Sequence, residues 1–257
     1  MLSTWSAHAD NGRLYTADQL SSSMIDYVLQ DDYGYIWVGT EYGLNKFDGY
    51  RFTHFFNNKS DTTSLQDNDV SRLFVDSKHQ LWIGTSKGLS RFDYQRNCFV
   101  RYSFPDGLQP RVECLMEDSE GNLLIGSAGW GLFAIRAGQD KITHEELFPR
   151  RTDSDFFLVV FEDDQHHLWR AYKSSMISRV KVSTLHSTSN KDYQSPYGPA
   201  VSFLRTDKKG FLIVCLYGIL RYDYATGELT DAGYDMKALD AKVSIRGALM
   251  DRAGNLY

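Results

Sequence analysis

Proline and cysteine are both scarce here, with 5 and 3 copies in 257 residues. So few prolines exclude a collagen-like or proline-rich linker segment. Three cysteines, Cys98, Cys114 and Cys215, make neither an even disulfide set nor a metal-ligand spacing. Cys114 and Cys215 stand in apolar, strand-like runs and are expected in the core; Cys98 stands in a polar turn with nothing nearby to activate it. The chain has no basic run and a net charge of -5, which argues against direct contact with nucleic acid. Its longest apolar stretches, Phe156 to Phe161 and Phe211 to Leu216, are far too short to cross a bilayer as a helix. Met1-Leu2-Ser3 and the residues after it show neither a basic region nor an apolar core of the signal-peptide kind. G-x-S-x-G, H-E-x-x-H and P-loop motifs are absent, so no catalytic residue, cofactor or metal is expected.

Aromatics, in contrast, are abundant, at 14%. They favour the half-buried surface of a sheet. The chain also repeats. Ile36-Trp37-Val38-Gly39-Thr40 returns as Leu81-Trp82-Ile83-Gly84-Thr85, then weakened as Leu123-Leu124-Ile125-Gly126-Ser127. An Asp lies six positions before each Trp position: Asp31, Asp76, Asp118, Asp163, Asp207 and Asp251 lead to Trp37, Trp82, Leu124, Trp169, Ile213 and Tyr257. The period of 42 to 45 residues is the blade length of a β-propeller, in which each blade is a four-stranded sheet.

The contents of one period suit that geometry. Met24 to Leu29 reads as a first strand, as do Val70 to Val75, Val112 to Met116 and Phe156 to Phe161. A turn such as Asp32-Tyr33-Gly34 or Ser119-Glu120-Gly121-Asn122 leads into a second strand. Leu44 to Asp48, Leu89 to Asp93 and Ile219 to Asp223 alternate as third strands, and Phe52 to Phe55 and Phe99 to Tyr102 form outer ones. The expectation is an all-β fold: a lead-in over residues 1–14, then a partial propeller over 15–257 of about five and a half blades. The sixth period stops inside its second strand, which would leave open strand edges. The sequence is therefore read as a piece of a larger propeller, seven-bladed by expectation.

Written as D-x-x-G-x-[IL]-W-[IV]-G-T-x-x-G-L-x-[KR]-[FY]-D, the repeat resembles that of the two-component regulator propeller family. Asp31 to Asp48 matches nearly throughout, and Asp76 to Asp93 matches except that His79 replaces the turn glycine. Ser64 to Val70 is similar to the family's link between first and second blades. The third copy keeps Gly121, Gly126 and Gly131-Leu132, with one residue inserted around Trp130. The fourth is degenerate, with His166 at the turn glycine and Arg170-Ala171-Tyr172 in place of I-G-T. The fifth keeps Gly210, Gly218 and Tyr222-Asp223 on a shortened turn. The resemblance implies the sensing part of a hybrid two-component histidine kinase, lying on the periplasmic side of the cytoplasmic membrane. It implies an oligosaccharide ligand, a homodimeric full-length receptor and a phosphorelay to transcription through the rest of that polypeptide. A non-catalytic dimerisation scaffold is the alternative; a propeller lyase or hydrolase is a more distant one.

The repeated Asp residues are expected to start turns by accepting backbone N–H bonds, and Trp37, Trp82 and Trp169 to fill space between blades. Residues that break the pattern are the ligand-binding candidates. Trp130, in an inserted turn, suits stacking on a sugar ring, and Arg170, Tyr172 and Lys173 are expected to line the same mouth. His166 and His167, adjacent on a strand, would point to opposite faces and so would not share one metal ion.

Overall fold

The computed structural model describes residues 19–145, 157–183 and 186–234, together with 245, 248 and 256. The lead-in, Phe156 and the sixth Asp and Tyr positions, Asp251 and Tyr257, lie outside the described residues. Among the described residues, twenty strands form five antiparallel sheets, each a meander of four consecutive strands. Blade one is β1 (Ile25–Gln30), β2 (Ile36–Thr40), β3 (Gly43–Phe47) and β4 (Phe52–Phe55). Blade two is β5 (Val70–Val75), β6 (Leu81–Thr85), β7 (Gly88–Asp93) and β8 (Cys98–Tyr102). Blade three is β9 (Val112–Glu117), β10 (Leu123–Ser127), β11 (Gly131–Ile135) and β12 (Ile142–Glu145). Blade four is β13 (Phe157–Glu162), β14 (His167–Tyr172), β15 (Met176–Ser183) and β16 (His186–Gln194). Blade five is β17 (Ala200–Asp207), β18 (Gly210–Cys215), β19 (Gly218–Asp223) and β20 (Leu229–Asp231). The blades follow the sequence register, and the fold is all-β and propeller-like as expected.

First strands of successive blades pack on one another, β1 on β5, β5 on β9, β9 on β13 and β13 on β17, so they form the inner wall. Each carries a register irregularity near its start: between Ile25 and Tyr27, Val70 and Arg72, Phe157 and Val159, Ala200 and Ser202, and in β9 opposite Gly126 and Ser127. A bulge increases local twist and turns side chains out of the sheet's regular alternation.

Four apolar cores lie between neighbouring blades. Trp37, Leu44, Val70, Ile83 and Phe92 join blades one and two, and Trp82, Val112, Ile125 and Phe133 join two and three. Trp169, Phe203, Phe211 and Tyr222 join four and five. Blades three and four meet through an aliphatic core of Cys114, Leu124, Leu132, Leu168 and Val180. The motif glycines have a packing reason. A Cβ on Gly39 would stand 2.7 Å from Val70 Cγ1, and one on Gly84 2.6 Å from Val112 Cγ1, so the next blade's inner strand closes directly on them.

Candidate functional site

Each second strand has two ends. At the turn end, Asp31 Oδ1 accepts the N–H groups of Tyr33 (3.0 Å) and Tyr35 (2.9 Å), and Oδ2 accepts the Trp37 indole N–H (2.7 Å). Asp76 holds Trp82 Nε1 at 2.8 Å and Asp163 holds Trp169 Nε1 at 2.7 Å in the same way. In blade three, where Leu124 has no indole, Asn122 Nδ2 supplies the bond to Asp118 Oδ2 at 2.9 Å. The expected turn-starting role of these Asp residues is therefore present, and the indole bond accounts for the six-residue spacing in the three copies that carry tryptophan. The Trp rings fill the space between blades: Trp37 packs on Phe92 and Tyr94, Trp169 on Phe211 and Tyr222. Neighbouring turns are also tied together. Ser77 N and Oγ donate to Glu117 (2.7 and 2.8 Å), and Ser119 N and Oγ donate to Glu162 (2.6 and 2.7 Å). His79 and His166 take left-handed conformations at their turns, φ 61° and 58°, and face Asp32 and Glu162 respectively. His166 and His167 reach two different carboxylates, Glu162 and Asp163, so they are not a shared metal site.

The other end carries the hairpins between second and third strands. Thr40 Oγ1 and Thr85 Oγ1 each donate to a glycine carbonyl, Gly43 and Gly88, at 2.9 Å, closing two-residue loops. Ser127 Oγ does the same to Gly131 O at 2.8 Å, but across three residues, so the loop bulges at Ala128-Gly129-Trp130. Gly129 and Gly131 take φ 76° and 83°, which a side chain there would strain. Trp130 is 52% exposed. His144 Nε2 donates to its carbonyl at 3.0 Å, and Ala128 N donates to Arg111 O at 3.0 Å, which ties the loop to the start of β9.

Beside that tie lies a charged cluster at the bulged ends of the inner strands. Arg111 NH1 lies 2.5 Å from Asp69 Oδ2, Arg111 Nε 3.3 Å from Glu113 Oε1, and Arg72 NH2 3.9 Å from Glu113 Oε2. Arg72 in turn stands 6.0 Å over the Tyr27 ring. Burial opposes the Arg111 charge, but the bond it donates to Asp69 and the charges of Asp69, Glu113 and Asp26 outweigh it and raise its pKa. A set of charged donors and acceptors is thus held, partly exposed, at the strand start to which the Trp130 hairpin is tied through Ala128 N.

Of the four residues singled out from sequence, Trp130 and Lys173 occupy corresponding exposed hairpins in neighbouring blades. Arg170 and Tyr172 do not line the mouth: they are 2% and 1% exposed, with the Arg170 guanidinium 4.1 Å over the Tyr172 ring. Strand alternation explains this, since both share the face of Leu168, which packs into the core between blades three and four. Two rim aromatics were missed. Tyr42 and Tyr217, 59% and 58% exposed, hold the position before the hairpin glycine in blades one and five, as Trp130 does in blade three. The signal lay in the repeat itself, as the column preceding Gly43, Gly131 and Gly218.

Residues 19–42 and 64–87 match the family described as two component regulator propeller. Histidine kinase P4 of Formosa agariphila is 50% identical over 48 residues, which make up 19% of this chain and 4% of that protein. Among solved structures, the extracellular domain of the putative hybrid two component system BT3049 from B. thetaiotaomicron superposes with a TM-score of 0.61 at 19% identity. That likeness takes in 95% of this chain and 40% of the other. Virginiamycin B lyase from Staphylococcus aureus superposes with a TM-score of 0.62 at 16% identity, over 81% of this chain and 69% of the enzyme. At these identities the likenesses speak for the propeller fold alone. Among the described residues no helix is long and apolar enough to cross a membrane, and no group of three His, Cys, Asp or Glu is placed to hold a metal ion.

Proposed function

We propose that this array of two-component regulator propeller repeats is the ligand-sensing part of an extracytoplasmic receptor, and that its hairpin end binds an oligosaccharide. The observation that carries the proposal is the exposed Trp130 in an inserted hairpin that Ala128 N ties to Arg111 O, the residue that anchors the Asp69–Arg111–Glu113 network. Trp130 stacks on a sugar ring, and Arg111, Glu113 and Lys173 address its hydroxyl groups. Arg170 and Tyr172 act from beneath, as the packed support of the blade-four hairpin. The family match over residues 19–42 and 64–87 and the 50% identity to a histidine kinase over 48 residues support an input role in two-component signalling. The output then belongs to the full-length protein: a dimeric histidine kinase and a phosphorelay to transcription. Signalling requires that the ligand bind one receptor state more tightly than the other, because equal affinity shifts nothing.

Calorimetric titration of the chain with a panel of neutral and acidic oligosaccharides tests this. Saturable binding by a member of the panel, weakened about tenfold in Trp130→Ala, is the expected result. Silence across the panel would favour the scaffold alternative. Turnover of a glycan, abolished by substitution of an inner-wall residue, would replace binding with catalysis.

A further inference from the structure

Away from the inner wall, the outer edge of blade two holds a cleft of about 550 Å³, a volume suited to a small ligand. Its walls are the link that follows β4, the hairpin at Lys87, the edge strand β8, and the segment around the 3-10 turn Pro105–Gly107. Partly buried Val100 and Leu108 give it an apolar floor.

The charges around it are oriented. Lys87, Arg96 and Arg101 line the cleft, and no carboxylate does. The acids that balance two of these cations stand outside the lining: Asp67 Oδ2 is 2.8 Å from Lys87 Nζ, and Asp93 Oδ2 is 3.9 Å from Arg96 Nε. Arg101 gives its bonds to uncharged acceptors, Nε to Ser64 O at 2.9 Å and NH2 to Ser64 Oγ, Asp61 O and Leu65 O. The nearby Asp61 carboxylate is turned to Thr63 instead, accepting from its N–H and hydroxyl. Thr62, Thr63, Gln66 and Gln109 add neutral hydroxyl and amide groups to the wall. Single exposed cations bind weakly in salt, but three lining one concave surface beside neutral donors and acceptors favour a polyhydroxylated anion.

We infer that this cleft is a second saccharide site, selective for oligosaccharides that carry carboxylate or sulfate groups. Its lining shares no residue with Trp130, Arg111, Glu113 or Lys173, and the inference does not rest on those residues binding anything. Cys98 lines it and is partly exposed, whereas Cys114 and Cys215 are buried, so thiol labelling reports on the cleft directly.

The chain is treated with N-ethylmaleimide alone and with trigalacturonate, a chondroitin sulfate tetrasaccharide or neutral maltotetraose, and Cys98 modification is followed by mass spectrometry. An acidic saccharide should slow labelling about tenfold; protection by trigalacturonate assigns carboxylate recognition, and protection by chondroitin sulfate, which carries carboxylates too, assigns sulfate recognition only when trigalacturonate fails to protect. Maltotetraose should leave the rate unchanged, and the exposed double substitution Lys87→Gln/Arg96→Gln should cancel protection. Absence of protection by either acid, equal protection by maltotetraose, or protection that persists in the double variant would overturn the inference. Protection must also survive in Trp130→Ala; its loss there would assign the glycan to the hairpin surface and remove the second site.

Discussion

In blade one, Asp31 and Trp37 stand near one end of β2 and Tyr42 just past the other, and the two ends are built differently. Asp31 is buried and receives Tyr33 N, Tyr35 N, Trp37 Nε1 and, from the next blade, Tyr94 Oη at 2.6 Å. At the hairpin end the backbone is equally well bonded, with Gly43 N donating to Asn68 O at 2.7 Å, yet the Tyr42 ring stays exposed beside Phe56. The same contrast runs through blade three, from Asp118 and Asn122 to Trp130, and blade five repeats the exposed aromatic at Tyr217. Polar side chains at the turn end are used up in holding blades together. Aromatics at the hairpin end stay more than half exposed, and in the proposed function they are the groups that meet the ligand.

The contrast breaks if the two ends respond alike to truncation. Trp37→Ala removes a fully buried ring and one of the four bonds to the Asp31 carboxylate, so urea unfolding should register a loss of about 3–5 kcal/mol. Trp130→Ala should change the same curve by less than about 0.5 kcal/mol. Gly84→Ala sharpens the picture between these extremes, because its new methyl group meets Val112 across the blade boundary. A loss of about 1–3 kcal/mol is expected, and a neutral outcome would mean that the blades can move apart at no cost.

A finer test uses pH. Burial holds the Asp118 carboxyl above its ordinary pKa despite the bonds from Asn122. The folded state therefore binds that proton more tightly than the unfolded chain does. The resulting stabilisation is present below the ordinary carboxylate value and is lost as pH rises through the raised one. Relative to Asp118→Asn, the parent chain should gain stability as pH is lowered from about 7 to about 4; a constant difference would refute the shift. The smallest effect concerns thiols: burial pushes Cys114 up to about 12 and also raises Cys215. Near roughly pH 8, Cys98 should therefore be the thiol that alkylates first.

Much of the scaffold was legible because a repeat states its own register. The six-residue spacing from Asp31 to Trp37 set the turn and second strand of each blade, and the observed strands fall on it. The reason for that spacing was hidden, since an indole–carboxylate bond is a matter of where two side chains point. The same blindness put Arg170 and Tyr172 at the mouth. Sequence shows that R-A-Y replaces I-G-T but not that alternate residues of β14 face the neighbouring blade's core. The bulges that turn the ends of β1, β5 and β9 leave no mark in composition, so the Asp69–Arg111–Glu113 cluster went unseen. Tyr42 and Tyr217 were passed over for the opposite reason, being regular members of a repeat in which only departures were weighed.

The most direct measurement is a triple variant, Tyr42→Ala/Trp130→Ala/Tyr217→Ala, carried through both urea unfolding and oligosaccharide titration. The account predicts an unfolding midpoint within about 1 kcal/mol of the parent chain together with loss of saturable binding at the hairpin end. Unfolding of the triple variant, or binding that survives intact without all three rings, would contradict it.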